Sequence, residues 1–435
     1  MIRRRQFLKS SVSKGISLMV IPGLGGLNFQ TFRNRRKLKY QLKHDIPTKL
    51  YDGNNCWVHP RAGIIPGAGK KGKPKVLFTM NTHDISGSDV FKGMYGFQTD
   101  DLGKSYAEPK ALPPLNPRFE TIEGKEHPVA ASDFWPAFHS SSRKLLGIGH
   151  TVVYTPEWKV MVPRPRHTSY AVYDEKKDKW GNWKKLQMPG GERFYFAGAG
   201  SVQRYDESDG SILLPIYFNP HPNGSRRSDR IAVLRCSFDG ENLNYLSHGQ
   251  EISIEDNSRG LQEPSLTKFK GKYYLTMRND HNGYVGKSQD GLNFEPIVSW
   301  KFDDGTNLGN YNTQQHWVTH SEGLFLVYTR KGADNDHVFR HRAPLFMAQV
   351  DPEKLCVIRD TERVIVEERG ARLGNFGVTN VSPNETWVTV AEWMQFSGKI
   401  KTPSSNLEVE NYGSDGSVWV AKIHWNQSNK YFKIL

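Results

Sequence analysis

Glu263 and Arg278 stand fifteen residues apart in LQEPSLTKFKGKYYLTMRNDHNGYVGKSQDGLNF, residues 261–294. A carboxylate beside a fixed guanidinium can hold and polarise an anionic or hydroxylated substrate, because the planar fork of arginine meets a carboxylate through paired hydrogen bonds. A hairpin would position them. Tyr273–Met277 is short and rich in β-formers, Lys270-Gly271-Lys272 supplies the turn, and a second strand follows. Antiparallel neighbours joined this way bring residues fifteen apart to one sheet edge. Taken alone, the pair also reads as an ordinary surface ion pair.

The rest of the 435-residue chain has the same texture. Short β-rich runs alternate with Gly, Asp, Asn and Pro turns, and no long amphipathic helical stretch stands out. One turn recurs. Thr99-Asp100-Asp101-Leu102-Gly103-Lys104-Ser105-Tyr106 has its shortened forms in Ser237-Phe238-Asp239-Gly240 and Ser288-Gln289-Asp290-Gly291, with weaker relatives at Tyr173-Asp174 and Val350-Asp351. Aspartates 101, 174, 239, 290 and 351 advance by 51 to 73 residues, the scale of a four-stranded blade with variable loops. The expectation is an all-β, six-bladed β-propeller over residues 45–430; seven blades also fit the length.

The formal charge is +14, but the first 40 residues carry ten Lys or Arg and no acid, which leaves +4 for the remainder. The basicity belongs to the N-terminal region and argues against nucleic acid as a partner of the folded domain. Cys56, Cys236 and Cys356 have neither metal-finger nor disulfide-framework spacing and read as buried small hydrophobes. Arg3-Arg4-Arg5-Gln6-Phe7-Leu8-Lys9, followed by the weakly apolar Gly15–Leu27, is close to a twin-arginine export leader. The expectation is an export signal and basic linker over residues 1–40, a periplasmic, cell-envelope or secreted location, and no stable membrane span after export.

Glu263-Pro264-Ser265, Gly271, Leu275-Thr276-Met277-Arg278 and Ser288-x-Asp290-Gly291-x-x-Phe294 resemble the middle of a bacterial sialidase. The recurrent turn resembles that superfamily's Asp-box, or BNR repeat. The resemblance implies a glycoside hydrolase acting on an anionic, carboxylated sugar, with Glu263 assisting the nucleophile and Arg278 as the second of three carboxylate-binding arginines. It places the first arginine at Arg61 in Cys56–Pro66, the acid/base at Asp89, and the third arginine at Arg342, with Arg340 as its rival. The family's nucleophilic tyrosine falls on Phe376, and the glutamate that braces the first arginine on Glu392. Phenylalanine has no hydroxyl, so a glycosyl-enzyme cannot form there. An acidic oligosaccharide or polysaccharide is the implied partner, with no cofactor or metal.

Two other readings stand beside this one. His139, His150, Tyr195 and Arg204 resemble in type and order the residues of propeller-shaped uronate lyases such as ulvan lyases, where the cation neutralises the uronate and Tyr or His moves the C5 proton. A non-catalytic glycan-binding propeller is the third. His316 in Asn312–Trp317, and Asp334-Asn335-Asp336-His337, are further polar clusters. The latter lacks the spacing of an EF-hand, and no metal is assigned to it.

Overall fold

The structure is a computed structural model describing residues 37–85, 89–163, 165–221, 228–395 and 409–432. The twin-arginine motif and the apolar run after it lie outside the described residues, as do residues 86–88. No helix among the described residues is long and apolar enough to cross a membrane.

Many of the strands, such as Ile212–Asn219 and Gly323–Tyr328, are buried along their whole length. A sheet built from them must be covered on both faces. Stacking sheets around an axis supplies that cover, and six antiparallel sheets do so here, making a six-bladed β-propeller. Blade 1 starts with Asn55–Ile65, blade 2 is built on Lys125–His139, and blade 3 starts with Phe196–Gly198. Blades 4, 5 and 6 start with Gln262–Phe269, His316–His320 and Gly377–Ser382. Blade 6 is completed by the N-terminal strand Tyr40–Lys49, which pairs with Ser417–Trp425 from Tyr40↔Trp425 to Lys49↔Ser417. Backbone hydrogen bonds between the two ends of the domain thus close the ring, and residue 45 falls inside that closing strand. Apolar clusters fill the spaces between blades: Phe78 meets Trp387 and Val418 between blades 1 and 6, and Leu146 meets Leu214 between blades 2 and 3. Burying each such side chain contributes about 1.5–3 kcal/mol. The three cysteines are buried and form no disulfide.

The repeated turns behave alike. Asp101, Asp174, Asp239, Asp290 and Asp351 each accept two backbone amides from the residues just after them, at 2.7–3.2 Å. Each ends or closely follows the third strand of its sheet. Phe91, at the start of the third strand of blade 1, lines an axial cavity, and Thr99 ends that strand at the turn, so the turns lie on the opposite face.

The innermost strands run the length of the axis. In blade 2 Asp133 is at one mouth and His139 at the other, about 20 Å away at roughly 3.3 Å per residue. His59, Asp133, Ser201, Glu263 and Asn375 share one feature: left-handed backbone, with φ from 45 to 60°. In blades 1, 2 and 4 the pairing slips by a β-bulge there, between Val58 and Arg61, Ser132 and Trp135, and Gln262 and Ser265. Bulges re-aim side chains. Below this level the axis is plugged. Arg61 lies 5.0 Å from the Trp135 ring, and the His316 ring packs on Trp135 and on Phe376 at 4.8 and 5.0 Å.

Candidate active site

An axial cavity of about 310 Å³ opens at the mouth where the bulged residues sit. Among the described residues six guanidiniums line it, from Arg166, Arg259, Arg278, Arg340, Arg342 and Arg372, against three carboxylates, Asp89, Asp133 and Glu263.

The blade 4 hairpin builds one wall. Lys270 and Gly271 both take positive φ, 49 and 84°, as a two-residue turn matched to strand twist requires. That turn sets the register, Gln262 pairs with Arg278, and the bulge presents Glu263 beside it. Arg278 Nη1 donates to Glu263 Oε1 at 2.5 Å, and its Nη2 to Asn312 Oδ1 at 2.7 Å. Asn312 is a shared acceptor. Its Oδ1 also takes Arg259 Nη2 at 3.0 Å, and its carbonyl accepts Arg342 Nη2. Arg259 in turn grips Asp280, through Nε at 2.9 Å and Nη2 at 2.5 Å, and that bonding raises its pKa.

The opposite wall carries, besides His150, residues that the sequence did not single out. Asp133 is buried and accepts from Ser201 Oγ at 2.5 Å. His59 Nδ1 lies 3.2 Å from one of its oxygens and His150 Nε2 3.6 Å from the other. His150 Nδ1 is 3.3 Å from the hydroxyl of Tyr217, whose ring lies 4.7 Å from the Arg166 guanidinium. Burial raises the Asp133 pKa against the opposing pull of Arg61, and burial with Arg61 pushes His59 down to about 3. Gly200 makes room for this wall: a Cβ there would stand 1.9 Å from His150 Nδ1.

The expected residues divide. Arg278, Arg342, Glu263 and Asp89 line the cavity together. Arg61 does not. It is wholly buried in the plug, donates to Ser201 Oγ at 3.0 Å and to the Asn375 carbonyl, and sits 3.9 Å from Asp133. Inner-strand side chains that face the axis step away from the cavity two residues at a time, so His59 reaches it and Arg61 lies one level below. Arg372 lines the wall instead, donating to Gln395 Oε1 at 2.9 Å, with burial lowering its pKa to about 9.

Phe376 is also in the plug, fully buried, and Tyr217 is the one tyrosine among the described cavity-lining residues. Tyr95 packs on Trp57, and the Tyr311 hydroxyl lies 2.6 Å from His341 Nδ1. Glu392 is buried away from Arg61. It accepts the amides of Asp415 and Ser417 at 2.9 and 3.2 Å and lies 3.4 Å from Arg369. Of the second set, only His150 faces this cavity. His139 and Arg204 lie at the other mouth, and Tyr195 lines neither axial cavity. Among the described residues, no group of three His, Cys, Asp or Glu is arranged to hold a metal ion.

No protein-family model matches the chain, and no curated protein matches it. Solved structures do. The NanB sialidase of Streptococcus pneumoniae superposes with TM-score 0.56 at 10% identity, covering 86% of this chain and 70% of its own. The fold is that of the sialidase propellers. A protein of unknown function from Dyadobacter fermentans DSM 18053 matches at TM-score 0.55 and 10% identity, over 88% of this chain and 99% of its own. Trypanosoma rangeli sialidase matches at 0.51 and 11%, covering 86% of this chain, which spans 57% of that one. At these identities the likeness to sialidase propellers is one of architecture, and the chemistry rests on the residues of this cavity.

Proposed function

We propose that this sialidase-type propeller is an exported carbohydrate-active enzyme, a glycoside hydrolase that acts on a carboxylated sugar in the periplasm or cell envelope. The observation that carries the reading is the excess of guanidinium over carboxylate in one enclosed axial cavity. A planar carboxylate is the ligand that several converging forks hold best. A sialidase with the same fold, from Trypanosoma rangeli, has been solved with sialic acid. Arg278 and Arg342 would grip the carboxylate, with Arg372 in the place expected of Arg61. Asp89 would protonate the leaving oxygen. Glu263, held by Arg278, would polarise a water, since Phe376 can supply no nucleophile and direct water attack follows the inverting route.

A second reading is favoured by one contact, the 3.3 Å approach of His150 to Tyr217 beside Arg166. A base and an acid that close, next to a cation, suit β-elimination of a uronate: one takes the C5 proton and the other protonates the departing oxygen. Product chemistry decides between the two. Sialosides and uronate polymers are incubated with wild type, Glu263→Gln and His150→Ala. Hydrolysis gives reducing sugar without ultraviolet absorbance and is lost in Glu263→Gln. An unsaturated, absorbing product that is lost in His150→Ala would replace the hydrolase by a lyase.

A further inference from the structure

We propose that the substrate presents two anionic groups to this cavity: the carboxylate, on Arg278, Arg342 and Arg372, and a second oxyanion, a sulfate ester or further carboxylate, held by Arg340 beside them. The inference rests on the glycan reading and narrows its substrate class. It comes from sorting the guanidiniums by partner. Arg278 is matched by Glu263 and Arg259 by Asp280. Arg166 belongs to the opposite wall beside Tyr217. Arg340, Arg342 and Arg372 are matched by no carboxylate among the described residues. Arg372 donates to the neutral Gln395, and Arg342 to a backbone carbonyl. Arg342 Nε has no hydrogen-bond partner among the described residues although the residue is only 3% exposed. Arg340 has the Phe339 ring at 4.9 Å and no hydrogen bond or ion pair among the described residues.

These cations crowd one another. Burial, then Arg278, Arg340 and Arg372, push the Arg342 pKa well down, and burial, Arg278 and Arg259 push down that of Arg340. Asp89 pulls weakly the other way on Arg340 and Arg372. A buried charge without a counter-charge is unfavourable, so a ligand that supplies the counter-charge gains. The loop is built to hold this arrangement. Arg340 and His341 are consecutive left-handed residues, φ 58 and 51°, a strained backbone that the Asn335 amide fixes by donating to the carbonyls of Arg330 at 2.9 Å and Ala343 at 2.5 Å. Strain of this kind persists where surrounding structure enforces it, commonly at ligand clamps. One carboxylate brings a single negative charge to these three cations. At about 310 Å³ the cavity is at the small end of ligand sites, so the second anion belongs to the same sugar or its immediate neighbour.

Titration calorimetry tests this with sialic and uronic acids, each offered plain, with an O-sulfate, and with a second carboxylate. In the wild type a doubly anionic member binds at least tenfold more tightly than its plain parent, and which one does so identifies the second group. In Arg340→Gln that advantage shrinks to within twofold, and Arg340→Lys restores part of it. Arg340 is partly exposed and leaves no bonded partner behind, so an unchanged melting midpoint verifies the fold. Equal affinity within each pair, or an advantage that survives in Arg340→Gln, would overturn the second anion and leave the glycan reading standing. No binding by any acid would overturn both.

Discussion

The propeller axis has two mouths, both rich in charge, and they differ in how that charge is satisfied. At the mouth opposite the candidate site, a cavity of about 630 Å³ holds His139, Arg204, Glu207 and Lys268. Arg204 gives Nε to Asp206 at 2.8 Å and its other nitrogens to the carbonyls of Leu146 and Ala137 at 2.9 and 3.0 Å. His139 has Ser142 Oγ at 2.8 Å and the Gly210 carbonyl at 3.0 Å, and Lys268 has the Tyr273 hydroxyl at 2.6 Å. Every one of these groups has its partner inside the protein. At the other mouth, guanidiniums face each other across a smaller cavity. Residue types alone do not distinguish the two mouths; unmet charge does.

The largest effect tests the plug between them. Arg61→Ala removes the cation beside Asp133 and vacates the axis, and the expected loss of stability is about 3–5 kcal/mol, as for breaking a buried ion pair. Chemical denaturation measures it, and a loss below about 1 kcal/mol would mean that the plug contributes little. Next, Arg278→Lys keeps the charge but loses the fork, and should weaken binding of a carboxylated sugar at least tenfold. Arg204→Lys, at the other mouth, should leave that binding unchanged; calorimetry that finds equal losses would erase the distinction between the mouths.

The pH response is smaller and comes from the mouth that holds the candidate site. His59 and His83 are buried, and burial holds both near a pKa of about 3. Unfolded histidine titrates near 6.5. The unfolded chain therefore binds more protons between those values, so stability is full above about pH 6.5 and falls as pH is lowered toward 3. Both ring nitrogens of His83 lack hydrogen bonds among the described residues, and the ring packs on Phe91 and Trp393 at 5.6 and 5.1 Å. His83→Phe should keep the fold and flatten the melting profile between pH 7 and 5, and an unchanged slope would count against burial as the cause. The smallest effect belongs to the turns far from the site. Asp290→Ala removes the acceptor for two exposed backbone amides and should lower the melting midpoint less than any change above, with sugar binding unaltered.

Much of the fold was legible because it depends on local rules. The alternation of β-runs with turns, and the spacing of aspartates 101, 174, 239, 290 and 351, reported a repeated four-stranded unit, and Lys270-Gly271 reported the hairpin that joins Glu263 to Arg278. The site was legible only where one hairpin made it. Arg61 resembles a binding arginine in sequence, yet its level along the inner strand puts it under the cavity. His139 and Asp133 are six residues apart on one strand, which is enough to send them to opposite mouths. Tyr217, Arg166 and Arg372 come from different blades and loops, and closure of the ring alone brings them together. One signal was available: the polar residues His59, Asp133, Glu263 and Asn375 recur in or just before the inner strands of blades 1, 2, 4 and 6.

The most direct test of the account is calorimetric titration of a carboxylated sugar against its neutral parent over a range of salt. The account predicts that the acid binds, that the neutral sugar binds at least tenfold more weakly, and that the gap narrows as salt screens the guanidiniums. Equal binding of the two sugars, insensitive to salt, would contradict it.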